Sequence, residues 1–367
     1  MNSRERILTA LRRQQPDRVP VLIFLDPYTD TWAGRDPSYG PLLAATREYA
    51  DVIYDWNFPT GFFASGAPLP RRQEALPEGR TRHVLDTPNG PMTLETAPDW
   101  RGGGIVKHWV RSVDDARRVL SIPHAPLRPD LAPFRAERRR LEGVAAAQVT
   151  FPDPICLVGD LVAPAVLAVW TVEERGLLCE MLDVACRRIA EALNYCLAGD
   201  VGPIYYFNGP EYALPPLMSP RDFEEFVVAY DRRLVELIHS RPERYVIIHS
   251  HGRVNRFLEG FAAIGMDGLN VLEPPPMGDT ILAEAKARVG DRFCLIGNIQ
   301  YDDLVRGTAE EVERLVIEAI RQGAPGGGFI LCPCASPYER PLPSQAGENL
   351  IHYLKMARQH GGYPLRL

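Results

Sequence analysis

Eight short apolar runs, spread over the whole chain and separated by stretches of helical periodicity, leave this sequence very few folds to choose from. The runs cover residues 19–25, 52–56, 154–160, 203–208, 245–249, 268–273, 293–298 and 328–332. Most are continuous rather than alternating, as expected for strands covered on both faces. Apolar residues at three- and four-residue spacing predict helices over 171–197, 219–239, 255–264, 280–289, 308–322 and 348–360. Ser219 before Pro220 reads as an N-cap with proline at the first helical position, and Thr308 with Glu311 reads as a capping box. Strand then helix, repeated about eight times, predicts an α/β chain folded as a (β/α)8 TIM barrel. No Gly-x-Gly-x-x-Gly follows the first run, which removes the main reason to choose an open doubly wound sheet. The expectation is one domain over residues 1–367, preceded by an amphipathic N-terminal helix. The exception is a stretch at about 79–110, where Asn89-Gly90 between two alternating segments predicts a β-hairpin inserted between the second and third strands.

Charge and composition narrow the function. Lys and Arg number 41 against 47 Asp and Glu, a formal net charge of -6. Nothing supplies the basic field that binding to nucleic acid needs. No run of about 18 apolar residues is present, and the opening segment lacks the apolar stretch of a secretory signal, so a cytoplasmic chain with no membrane partner is expected. The seven cysteines are expected as reduced thiols, with Cys179, Cys186 and Cys196 acting as small core hydrophobes.

In a parallel barrel, chemistry gathers where strands end and the loops to the next helices begin. Those ends present Asp26, Asp55, Asp160, Glu211, His249 with His251, Glu273, Asn298, and Cys332 with Cys334. His249 and His251 lie two apart in an extended segment and point the same way, so they can share a metal. Cys332 or Cys334 from the last strand, with Glu211 as a fourth and exchangeable ligand, would complete a tetrahedral zinc site. The alternative is that His249 caps its strand and the cysteines are packing. Glu211, behind the Gly209-Pro210 turn and beside Tyr212, also suits a general base or a substrate clamp. Asp26, Asp55, Asp160, Tyr212, Glu273 and Asn298 are the candidates for orienting a substrate.

With these residues in view, the chain resembles the uroporphyrinogen decarboxylase superfamily, which includes zinc-dependent, corrinoid-linked methyltransferases. The resemblance is carried by Pro16-Asp17-Arg18-Val19-Pro20, Lys107-His108-Trp109, Ser219-Pro220-Arg221-Asp222-Phe223, His249-Ser250-His251-Gly252, Gly297-Asn298-Ile299 and Gly327-Gly328-Phe329. It implies a barrel with its site at the C-terminal strand ends. True decarboxylases of the superfamily carry an Arg-rich segment after the first strand to grip substrate carboxylates; here Leu25-Asp26-Pro27-Tyr28-Thr29-Asp30 is acidic and would repel them. The methyltransferase branch carries His-x-Cys after the fifth strand and a late Cys; here His251 stands where that first Cys would be.

The expected activity is therefore zinc-dependent methyl transfer between a small methylated compound and a thiol or a corrinoid on a partner protein. His249, His251, Glu211 and Cys332 or Cys334 would hold the metal. Two alternatives stand beside it: a metal-independent decarboxylase or lyase of a small carboxylic acid, with His249 or His251 giving the proton, and a binding barrel without catalysis. A homodimer is compatible with any of them.

Overall fold

The computed structural model describes residues 1–99 and 103–366. Its centre is a parallel sheet of seven strands in the order β1 (Val52–Asn57), β6 (Ala145–Pro152), β7 (Ile204–Asn208), β8 (Tyr245–Ser250), β9 (Gly268–Val271), β10 (Cys294–Ile299) and β11 (Phe329–Pro333). The sheet is curled. Its two outer strands are tied together by the segment around Val21: Leu22 N donates to Leu331 O, Leu331 N to Pro20 O, and Asp51 N to Val21 O. The first apolar run thus contributes bridging residues between the sheet's edges, not a full strand. Prolines 16 and 20 interrupt its backbone donors.

Six other runs lie within a residue or two of where they were expected. The third does not. Residues 154–160 were read as a strand but form the helix Pro154–Gly159, because Asp153 caps it (Oδ1 accepts from Cys156 N at 2.7 Å) and Pro154 takes the first helical position. The strand of that unit is β6, an Ala-rich segment whose composition does not advertise a strand. Both expected caps are present: Ser219 with Asp222, and Thr308 with Glu311, each form a capping box.

Between β1 and β6 the chain builds a separate antiparallel sheet, β2 (Arg71–Ala75), β3 (Thr81–Thr87), β4 (Gly90–Ala97) and β5 (Gly104–Lys107). Asn89 and Gly90 turn β3 into β4, with Gly90 at φ 102°, where a side chain would be strained. Residues 100–102, within the stretch expected as an insertion, lie outside the described residues.

The core has two layers. Outward-facing strand residues such as Phe151, Tyr205, Phe207, Ile248 and Leu295 pack with the surrounding helices. Inside the curl, Ile7, Leu8, Ala10 and Leu11 of the opening helix, Ser3–Leu11, pack on Leu22, Ala146, Ile204, Ile247, Ile296 and Ile330. Arg6 on the same helix reaches Asp51 at 2.6 Å, and Arg18 reaches the other oxygen of Asp51 at 2.8 Å. The helix therefore closes the N-terminal end of the strands with a greasy plug and a buried ion pair. Among the described residues, no helix is long and apolar enough to cross a membrane.

Candidate active site

β8 delivers both expected imidazoles to the C-terminal side of the sheet. His249 Nδ1 lies 2.7 Å from Tyr206 Oη and 2.8 Å from Asn270 Oδ1, and the Tyr206 hydroxyl lies 2.9 Å from that same amide oxygen. An amide oxygen can only accept. Asn270 Nδ2 is turned toward Ile296 O, at 3.3 Å, which holds the amide in this orientation. The hydroxyl and Nδ1–H therefore both donate to Asn270 Oδ1, and His249 Nε2 is left with a lone pair. Burial pushes the His249 pKa down to about 4, against the opposing pull of the Asn270 hydrogen bond, so the ring is neutral near pH 7.

His251 has the opposite bias. Its Nδ1 lies 3.0 Å from Glu273 Oε1, and Glu273 Oε2 accepts from Gly252 N at 2.6 Å. The Glu273 hydrogen bond raises the His251 pKa in spite of burial, with the charges of Glu273 and Glu211 adding to it. Burial works to raise Glu273, but the bonds from His251 and Gly252 prevail and hold it below its ordinary value. The two rings meet edge to face with centroids 4.7 Å apart. Two imidazoles thus stand side by side with their pKa values driven apart by their surroundings.

Glu211 follows β7 on a turn that only glycine can make. Gly209 has φ 126°, and a Cβ there would meet Cys156 Cβ at 2.1 Å. The Glu211 carboxyl is pushed up by burial, and its Oε2 has no hydrogen-bond partner. The Tyr212 hydroxyl donates to Asp160 at 3.0 Å. Asp160 itself caps the end of the helix Pro154–Gly159 and does not end a strand. Asn298 lies near the end of β10, paired in register with Cys332 on β11.

The donors expected for zinc are not gathered as a ligand set. Among the described residues, no group of three His, Cys, Asp or Glu side chains could hold a metal ion. Cys332 is fully buried in the apolar layer inside the sheet, and Cys334 Sγ faces Val271 O at 4.0 Å. Burial raises both thiols, so they are protonated. Both histidine Nδ1 atoms are committed elsewhere.

Beside the Tyr206–Asn270 pair lies a cavity of about 340 Å³ inside the curl of the sheet. Asp55 lines it from the middle of β1, not from the strand end. Asp55 Oδ1 accepts from Thr150 Oγ1 at 2.6 Å and Gln148 Nε2 at 3.1 Å. Asp26 lines the same cavity within a tight turn, accepting from Tyr28 N and from the Thr29 hydroxyl.

A family model described as uroporphyrinogen decarboxylase (URO-D) matches residues 107–341, more than half of the chain. The chain belongs to the uroporphyrinogen decarboxylase family. Among proteins named uroporphyrinogen decarboxylase, that of Alkalilimnicola ehrlichii is 26% identical over 356 residues, covering 89% of this chain and 87% of its own. That of Chromohalobacter salexigens is 25% identical over 378 residues, covering 97% and 99%. Among solved structures, a methyltransferase from Methanosarcina mazei superposes with a TM-score of 0.63 at 18% identity, over 98% of each chain. That likeness is one of fold.

Within this URO-D-family chain, the expected residues His249, His251, Glu273 and Glu211 come together. Asp55 and Asp26 share the cavity beside them. Tyr206, Asn270, Gln148 and Thr150 were not foreseen. Asn270 carried a readable sign, since an amide within the apolar run 268–273 is costly unless it has partners. Asp153 and Asp231 were also missed. Both are buried, and three of their four carboxylate oxygens lack a hydrogen-bond partner. Burial, then the neighbouring Asp231 charge, push Asp153 well above the ordinary carboxyl range.

Proposed function

We propose that this URO-D-family chain is an enzyme that moves a methyl group from a small methylated compound to a thiol or to a corrinoid on a partner protein. The fold that goes with this reading is a complete (β/α)8 barrel, with the segment around Val21 as its eighth stave. The observation that carries it is the hydrogen bond that fixes His249 Nδ1 on Asn270, leaving Nε2 free in a ring that meets edge to face with the His251 imidazole held by Glu273.

With a thiol acceptor, His249 Nε2 accepts the S–H proton as the sulfur pair forms the S–CH3 bond, because a ring that protonates only near pH 4 does not ionise the thiol beforehand. His251 steadies the negative charge that develops on sulfur. The bond from methyl to its donor atom breaks at the same time, and that pair stays on the donor atom. A leaving alkoxide takes a proton from the imidazoles; a leaving amine departs neutral and needs none. With a cobalt(I) corrinoid as acceptor, the metal supplies the pair and only the leaving-group step uses the imidazoles. Every step assigned to this chain uses its own side chains.

The family name of the relatives favours a second reading, decarboxylation of a small acid. The surroundings weigh against it. The charges acting on His251 come from Glu273 and Glu211, and among the described residues no Lys or Arg lines the cavity. A carboxylate substrate would enter against like charge.

The test supplies labelled methyl donors with 2-mercaptoethanol or reduced cobalamin and follows labelled thioether or methylcobalamin. The expected result is transfer that falls about 10²-fold or more in His249→Ala. Release of carbon dioxide from small acids, dependent on His251 and without methyl transfer, would establish the second reading instead.

A further inference from the structure

The cavity inside the sheet is the right size for a small molecule, falling within the roughly 300–1,000 Å³ typical of ligand sites. Its chemistry is one-sided. Leu22, Ile53, Ile247 and Ile296 give it aliphatic walls, and Phe24 and Tyr206 also line it. Three carboxylates line it, and among the described residues no Lys, Arg or His does. Asp51 is already taken by Arg6 and Arg18. Asp55 is not matched in this way. Its hydrogen-bond partners are Thr150, Gln148 and Asn57, all uncharged, and its Oδ2 has only a 3.4 Å contact from Asn57 Nδ2. Asp55 is exposed on the cavity wall, and among the described residues no cation pairs with it there. Gln148, only 6% exposed, lines the same space, and its Oε1 has no donor.

We propose that this cavity binds a small methylated amine in its cationic form, with Asp55 as counter-ion and Gln148 Oε1 as acceptor for an N–H group. A ligand that fills the cavity strips water from the Asp55 carboxylate, and a cation compensates that loss where a neutral or anionic ligand does not. Burial already pushes the Asp55 carboxyl up, which a cation would reverse. N-methyl groups suit the aliphatic walls, and aromatic faces attract an ammonium. An anion of the same shape meets Asp26 and Asp55 with nothing to pair it. The amine is assigned as methyl donor only on the strength of the methyl-transfer reading: the C–N pair would stay on nitrogen and the amine would leave neutral. Binding itself does not depend on that reading.

The experiment is calorimetric titration of the full chain with trimethylammonium, tetramethylammonium, tert-butanol and pivalate, which share a shape and differ in charge and in the N–H donor. Trimethylammonium is expected to bind best, tetramethylammonium less well, and tert-butanol and pivalate about tenfold more weakly or not at all. Asp55→Asn is expected to lose about tenfold or more in affinity for both cations. Ile247→Phe, which fills the cavity and leaves its charge alone, is expected to lose binding as well; unfolding scans without ligand confirm that each variant is folded. Pivalate or tert-butanol binding as tightly as trimethylammonium overturns the proposal. So does cation affinity unchanged in Asp55→Asn and in Ile247→Phe. Cation binding without any methyl transfer would uphold the site and overturn the methyl-transfer reading alone.

Discussion

Asn270 Oδ1, 2.8 Å from His249 Nδ1, decides which nitrogen of that ring carries hydrogen. Removing the amide removes the reason for the choice. In Asn270→Leu the Tyr206 hydroxyl is free to donate to Nδ1 instead, which would move the proton to Nε2 and take away the base. Turnover is expected to fall by about 10²-fold, the low end of what a positioned general base contributes. Nitrogen-15 spectra of the imidazole should show the Nδ1–H tautomer in the parent and a change in the variant. An unaltered tautomer in Asn270→Leu argues against the assignment.

His251 depends on Glu273 in a different way, through charge. Its folded pKa is raised first by the Glu273 hydrogen bond. A histidine raised in this way adds stability that is fully present below its unfolded value of about 6.5 and is lost as pH rises through the folded value. Glu273→Gln keeps the shape and removes the charge, so the His251 titration should move down in pH. Activity that needs the imidazolium should lose its alkaline limb earlier in the variant. Proton spectra of the ring, recorded across pH, read the shift directly; coincident titration curves for parent and variant would contradict the pairing.

What could be read from the residues follows a physical rule. Continuous apolar runs such as 203–208 and 245–249 are visible because both faces of those strands are covered, and the imidazole pair stands out at the end of one of them. β6 was hidden because Ala145, Ala146 and Ala147 carry little side chain to signal a strand, while the helix beside it is as apolar as any strand. Sequence spacing also shows which residues share a face, but not where each side chain turns. His249 and Cys332 could therefore be placed at the same end of the fold, whereas the turn of Nδ1 toward Asn270 and the burial of the thiol in the inner apolar layer depend on packing between distant segments.

Gly209 ties the position of Glu211 to the packing behind it. An added Cβ would overlap Cys156, and φ 126° is strained for any L side chain. Gly209→Ala should destabilise the chain by about 1–3 kcal/mol, the usual range for overpacking and backbone strain. Because the turn must shift to make room, turnover should fall as well. Cys156→Gly in the same chain relieves the overlap but not the strain, so it should restore part of the melting temperature. A Gly209→Ala chain as stable as the parent would show that the turn is looser than its contacts indicate.

Asp153 and Asp231 lie buried together with no cation to pair them. Asp153 Oδ1 is satisfied by Cys156 N, and the remaining oxygens of the pair are bare. Burial raises Asp231, and burial with the Asp231 charge raises Asp153. Two carboxyl groups in such a place are stable only when at least one of them is protonated. For an acid whose folded pKa is raised, the stabilising contribution is complete below the unfolded value of about 3.9 and is lost as pH climbs through the folded value. The chain should therefore lose stability between about pH 5 and about pH 8.5, beyond what its other groups account for. Asp231→Asn replaces the titrating carboxyl with an amide that is neutral at every pH. It should match the parent at the acid end, exceed it at the alkaline end, and flatten the slope between. Urea midpoints at the two pH values measure this; the same slope in parent and variant would mean that Asp231 does not take up a proton on folding.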